Sequence, residues 1–457
     1  MPLRSRIPAP IRSLPLTLVL TAAALAAVPA PAASAAPLDL SNFTLEVADS
    51  AQYLRSNVAE LDGELPNVGV ADIMAEANRQ GTVRNGAACN ASAVTDPDRS
   101  ATKPKVSVTK SFCWQDDATG EDDQNTTGWY PQGVTTVADA QADQVWGTSN
   151  QPLLVSWYAK GGTGNTAKGT RISFIDPNTG AYRHVLLAHP FTNSALNASY
   201  TSLRDDQTSG QGSSLHAGGI VWYGNFLYVA DTARGFRVFD MRHIYDLKAA
   251  GDKGNVTDQD KVGRQDGVFY GYGYRYVMPE VTQWEHVAAT GTACTSADGS
   301  PNFSYASLDR SGTDHLVAGE YCDGTKEVNG RVAAWPMASA TSGGEQPAAG
   351  TRWTADAAYS LPRSNIQGAT RFDGRWYLSQ SHGEQVAGQD DLGELHTTNA
   401  VTSSTGTLSV AKTQPAAIGV EDLSHWPGGT ETAPALGTIW SVSEHPNYRM
   451  VYATAPQ

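Results

Sequence analysis

Residues 217–239 read AGGIVWYGNFLYVADTARGFRVF. A strand of small and apolar residues, Ala217-Gly218-Gly219-Ile220-Val221-Trp222, meets a turn at Gly224-Asn225 and returns as the aromatic strand 226–230. The polar loop Asp231-Thr232-Ala233-Arg234 then leads into a third apolar run, 235–239. Period-two runs bounded by Gly, Asn and Asp are the pattern of short antiparallel strands.

The same order recurs on both sides of this stretch. Small-residue first strands are expected at 133–137, 217–222, 304–308, 366–370 and 420–424, second strands at 152–158, 226–230, 315–321, 376–381 and 438–443. Third strands fall at 170–175, 235–239, 330–335, 394–398 and 448–453. Fourth strands follow at 183–188, 274–281, 357–361 and 414–418, and the last unit has none. The alternating run 105–112, ahead of the first unit, can supply it. A fixed recurrence of this kind signals radial repetition. The fold expected is all-β, a five-bladed β-propeller over 105–457 closed by an N-terminal strand, with room for an extra hairpin at 247–268.

Ahead of the propeller, Val70, Ile73, Met74 and Ala77 fall at helical spacing, so 37–104 reads as a strap with one short helix. Residues 1–36 read as a secretory signal peptide: Arg4, Arg6 and Arg12 precede an apolar run that ends at Ala33-Ser34-Ala35. The run is short for a bilayer, so membrane insertion is not expected. Export makes Cys89, Cys113, Cys294 and Cys322 structural disulfides, and the sequence neighbours pair best, Cys89 with Cys113 and Cys294 with Cys322.

The whole chain of 457 residues carries a net charge of −14. Removing three arginines and no acid with residues 1–36 makes it −17, and no basic run is present. Nucleic acid is excluded as a partner, since its binding relies on Lys and Arg neutralising phosphates. A secreted monomer with an extracellular glycan as partner is expected.

Loops leading into first strands and loops between second and third strands share one face of a propeller, around the channel mouth. They bring candidate acids Asp231, Glu320, Glu421, Asp422 and Glu444 together with His216 as catalytic groups. Trp129, Tyr130, Gln132, Tyr305, Gln367, His382 and His445 are the candidate binding residues. Paired carboxyls can serve glycoside hydrolysis, a histidine can be the base of a polysaccharide lyase, and aromatic rings give sugar faces a platform. The acidic loop with Asp116, Asp117, Asp122 and Asp123 offers hard oxygen ligands for Ca²⁺, without the spacing of an EF-hand.

In strand count alone, the layout resembles the five-bladed propellers of several secreted glycoside hydrolase families and of some invertebrate lectins. The expected function is cleavage of an extracellular poly- or oligosaccharide at the channel mouth, hydrolysis before elimination. The alternatives are a non-catalytic, lectin-like propeller and a metal-dependent esterase or phosphodiesterase.

Overall fold

The structure is a computed structural model that describes residues 37–457 apart from 96–104, 118–121, 208–210, 290–293, 296–297, 342, 383–391 and 431–432. The expected leader 1–36 lies outside the described residues.

Five antiparallel meanders follow one another along the chain. The first runs Trp129–Thr136, Leu153–Ala159, Thr170–Ile175, Ala181–Thr192. The second runs Ile220–Tyr223, Phe226–Asp231, Gly235–Asp240, Tyr276–His286. The third runs Phe303–Asp309, His315–Glu320, Arg331–Pro336, Ala357–Ser360, and the fourth Ile366–Phe372, Arg375–Gln380, Gly393–Thr398, Val410–Ala416. The last has Val420–Thr430, Ala433–Ser443 and Met450–Thr454, and Lys110–Cys113 completes it from the other end of the chain, with Thr82–Asn85 beyond.

The inner strand of each meander touches the next. Ser156 Oγ donates to the Ala217 carbonyl at 2.7 Å, Ser307 Oγ to Ala369 at 2.6 Å and Ser379 Oγ to Glu421 at 2.8 Å. Between the second and third meanders the backbones are closer still: a Cβ on Gly219 would lie 1.9 Å from the Ala306 nitrogen. A Cβ on Gly368 would lie 2.9 Å from the Asp422 backbone. The last inner strand returns to the first, where Val134 N–H donates to Asp422 Oδ2 at 3.2 Å. This closed ring of inner strands is a β-propeller architecture. Glycine stands where the backbones come closest around the axis, and serines of the first and second strands donate across to the next meander.

Apolar residues of neighbouring sheets fill the space between them. Leu154, Ile172, Phe174 and Val185 of the first meander cluster with Ile220, Trp222, Leu227 and Val229 of the second, all fully buried. Burial on this scale, at about 25 cal/mol per Å² of apolar surface, is the main stabilising contribution of the fold.

The N-terminal segment girdles the outer strands. Thr44–Val47 pairs with both Tyr276–His286 and Arg352–Thr354, stitching the second meander to the third. Asn67–Val68 pairs with Ile244–Asp246, and Arg79–Gln80 pairs with the outer strand of the first meander. Covered edges leave fewer unpaired amides for edge-to-edge association.

Several details differ from the sequence reading. The segment holds two α-helices, Ala51–Asp62 and Val70–Ala75, where one was expected. Ala51, Leu54, Val58 and Leu61 form the buried face of the longer one. The closing strand is Lys110–Cys113 and not all of 105–112. An antiparallel hairpin, Val262–Gln265 with Val268–Gly271, fills part of the insertion before the second meander's outer strand.

Cys89 bonds Cys113 and Cys294 bonds Cys322. The first bond holds the segment after Thr82–Asn85 against the closing strand. A loop of 24 residues closed by a disulfide is worth about 3 kcal/mol through the unfolded state. Replacing Cys89→Ser together with Cys113→Ser should lower the urea midpoint correspondingly, read by tryptophan fluorescence. An unchanged midpoint would mean that strand pairing alone holds the closure.

Candidate functional site

Four inner strands carry a register irregularity at the same level: between Pro131 and Val134, Phe303 and Tyr305, Ile366 and Gly368, and Val420 and Leu423. A bulge re-aims the side chains it contains. The residues re-aimed include Gln132, Gln367 and Glu421, which come from three meanders and meet Glu444 from the loop after Ala433–Ser443.

Gln132 Nε2 donates to Glu444 Oε2 at 2.7 Å, and Gln367 Nε2 donates to Glu421 Oε1 at 3.2 Å. The Glu421 and Glu444 carboxyls also hydrogen-bond to each other. Burial raises the pKa of both; the neighbouring Glu444 charge pushes Glu421 further up, whereas His445, Gln132 and Arg449 hold Glu444 back. Two carboxyls this close in a dry site cannot both ionise at little cost, so each disfavours the other's charge and both lie above the usual carboxylate range.

The rim above this pair is aromatic and polar. Tyr158 lies over His216 at 4.7 Å between ring centroids and 6.0 Å from Tyr130. Lys160 Nζ sits 4.4 Å over the Tyr130 ring. Asn365 Nδ2 donates to Tyr321 Oη at 3.1 Å, and Glu421 and Glu444 lie close enough to Tyr321 to raise its pKa, after burial as the main cause. His216 is exposed to solvent yet ringed by protein atoms, as a residue lining a concave mouth is. That crowding pulls its pKa down to about 4, so its imidazole is neutral at pH 7. His445 places Nδ1 3.6 Å from Glu444 Oε1, and neither ring nitrogen has a hydrogen-bond partner.

Other candidates are held in structural roles. Glu320 is bidentate with Arg331, Nε to Oε2 and Nη2 to Oε1 both 2.8 Å, and also takes the Arg331 and Asn302 amides. Asp231 accepts from Arg237 Nε at 2.8 Å. Both acids are buried and held by arginines, which gives them a role in the scaffold. Asp422 points into the ring and takes amides of neighbouring inner strands, Val134 at 3.2 Å and Ala306 at 3.3 Å, so it braces the axis.

Tyr305 is wholly buried, with its hydroxyl against Gly319. Trp129 turns from the mouth to lie under Arg171, 4.5 Å from its ring. His382 is exposed and stands beside residues outside the described set, which include Glu384.

Among the described residues of the acidic loop, the carboxylates turn to separate partners. Asp123 turns inward to Arg171 at 2.7 Å, Tyr182 at 2.6 Å and His184 at 3.0 Å. Asp122 accepts the Asn125 amide, and Asp116 is exposed. Among the described residues, no group of three or more His, Cys, Asp or Glu side chains could hold a metal ion.

One recurrence is absent from the sequence reading. Arg171, Arg237, Arg331 and Arg449 each stand at or near the start of a third strand, and each is almost fully buried. The first three meet carboxylates; Arg449 instead donates to the carbonyls of Glu444, Asp123 and Thr126 and lies 5.3 Å from the Tyr130 ring. Burial lowers its pKa to about 10. Its bond to the Glu444 carbonyl fixes the loop that presents the carboxyl pair. An arginine at the second or third residue of the third strand in four of five repeats was the available signal.

No protein-family model matches the chain, and no curated protein matches it. Among solved structures, the WD40 domain of Pan2 from Neurospora crassa is similar at 9% identity and a TM-score of 0.27, covering 74% of this chain and 97% of that one. The propeller assignment rests on the strand topology.

Two outcomes follow from these contacts. Glu320→Gln leaves the Arg331 guanidinium buried without its charge partner, so stability should fall by about 3–5 kcal/mol. Equal melting temperatures for variant and parent would contradict the structural role.

The proton on Glu421 is held more tightly in the folded chain than in the unfolded one. Its contribution is therefore complete below the ordinary glutamate pKa and is lost as pH rises through the raised value. Glu421→Gln has no proton to lose, so its melting temperature should fall less than the parent's between about pH 5 and about pH 9, the range above the ordinary glutamate value. Parallel profiles would exclude a raised Glu421.

Proposed function

We propose that the chain is an exported, five-bladed β-propeller that takes a carbohydrate at the channel mouth and cleaves it with Glu421 and Glu444 as the proton-donating group. The observation that carries this reading is the pair of buried, mutually interacting carboxyls, both raised above the usual carboxylate range, near Tyr130, Tyr158, Tyr321 and His216. Gln132 and Gln367 orient the pair, and tyrosine rings with amides suit a polyhydroxylated ligand. The two disulfides fit an extracellular protein.

Hydrolysis of a glycosidic bond places two carboxyls about 5–9.5 Å apart, on either side of the bond. Glu421 and Glu444 touch, and Glu320 and Asp231 are bound to arginines. The mouth therefore favours elimination. The neutral imidazole of His216 takes the proton beside a sugar carboxylate, that C–H electron pair forms the new C=C bond, and the C–O bond breaks toward the leaving oxygen. The carboxyl pair then gives that oxygen its proton.

Binding without turnover is the second reading, favoured by the number of candidate acids already tied into the scaffold. The mature protein is incubated with a panel of plant and microbial polysaccharides, and both unsaturated products and new reducing ends are measured. Elimination gives both, hydrolysis gives reducing ends alone, and binding gives neither. Glu444→Gln should lower turnover by about 100-fold or more, the usual size of a proton-transfer contribution, with binding retained. Full turnover in that variant would remove the carboxyl pair from the mechanism.

A further inference from the structure

A cavity of about 590 Å³ lies beside the outer strand of the first meander. That volume is in the usual range for a small-molecule site, about 300–1,000 Å³. It is cationic in a chain whose net charge is −14: Arg79, Lys168, Arg183 and Arg275 line it together with Trp129 and Tyr272.

Most of that positive charge is matched. Asp123 serves Arg171 at 2.7 Å and Arg79 at 3.6 Å. Arg275 is held by Asp246 at 2.7 Å and Glu76 at 2.8 Å, and Lys168 stands 3.6 Å from Asp260. Arg183 is different. Its guanidinium donates to the Glu76 backbone carbonyl and lies 4.9 Å over the Tyr276 ring, with no carboxylate in ion-pair range among the described residues. Beneath it, Tyr276 Oη is buried without a hydrogen-bond partner. Glu76 and Asp246 act on Arg183 only from beyond ion-pair range, which leaves a cationic group whose planar fork suits an oxyanion.

Trp129 is partly exposed, with Arg171 against one face of its indole. It stands three residues before Gln132 on the same strand, roughly 10 Å at about 3.3 Å per residue. A glycan of a few units spans that distance.

We propose that this cavity binds a sugar unit bearing a single oxyanion, a uronate or a sulfate ester, with Arg183 as its charge partner and Trp129 against its ring. The site goes beyond the turnover reading and does not depend on it.

The test is titration calorimetry with three oligosaccharides of equal length: an oligouronate, a sulfated chain and a neutral chain. At least one acidic probe should bind the parent more tightly than the neutral one, and which of them does so names the source of the anion. Arg183→Gln should weaken that probe about tenfold or more, Arg183→Lys should keep much of the affinity, and added salt should weaken it. Equal affinity for acidic and neutral probes, no binding of either acidic probe, or unchanged affinity in a folded Arg183→Gln protein would overturn the site. Loss in Glu444→Gln with retention in Arg183→Gln would place the anion at the mouth and overturn it too. Each readout is binding, so failure of the cleavage reading leaves the result interpretable.

Discussion

Crowding at the axis is the constraint on which the remaining structure depends. Where Gly219 faces the Ala306 amide and Gly368 faces the Asp422 backbone, a single added carbon would collide with main chain. Strands brought this close cannot carry a side chain at the points of nearest approach, so glycine stands there, and four of the five are bulged at a common level. The bulges free a few longer side chains to project, and those are Gln132, Gln367 and Glu421. The chemistry of the mouth is thus a by-product of how the ring closes.

That crowding also explains the charges. A ring of backbones presents inward-facing amides with no ladder partner, and Asp422 takes two of them. Farther out, each buried arginine near a third-strand start needs an acceptor, and Asp123, Asp231 with Glu280, and Glu320 answer three of them. An isolated buried charge costs far more than a paired one, so these acids are committed once the arginines are in place. What remains uncommitted at the mouth is the Glu421–Glu444 pair, whose partners are amides.

The strand order was legible in the sequence because period-two runs between Gly and Asn turns are local signals. Third strands such as 170–175 appear at the positions that alternation indicates. Side-chain roles were less legible, because they depend on partners far away in sequence. Glu320 and Glu421 look alike along the chain, yet one meets a guanidinium on the next strand and the other meets Glu444 across a loop. The helix Ala51–Asp62 shows the opposite case: its apolar spacing at Leu54, Val58 and Leu61 was visible, and it had been subsumed into an irregular strap. The arginine recurrence was equally visible, but it is legible only when the repeats are aligned by third strand.

The closing strand has a consequence for how the protein folds. Phe112 pairs with Val451, and Ser111 with Tyr452, so the last sheet joins the two ends of the polypeptide. The ring closes only when Met450–Thr454 returns to Lys110–Cys113. Such distant pairing slows folding, because a long loop must close before its contacts are gained.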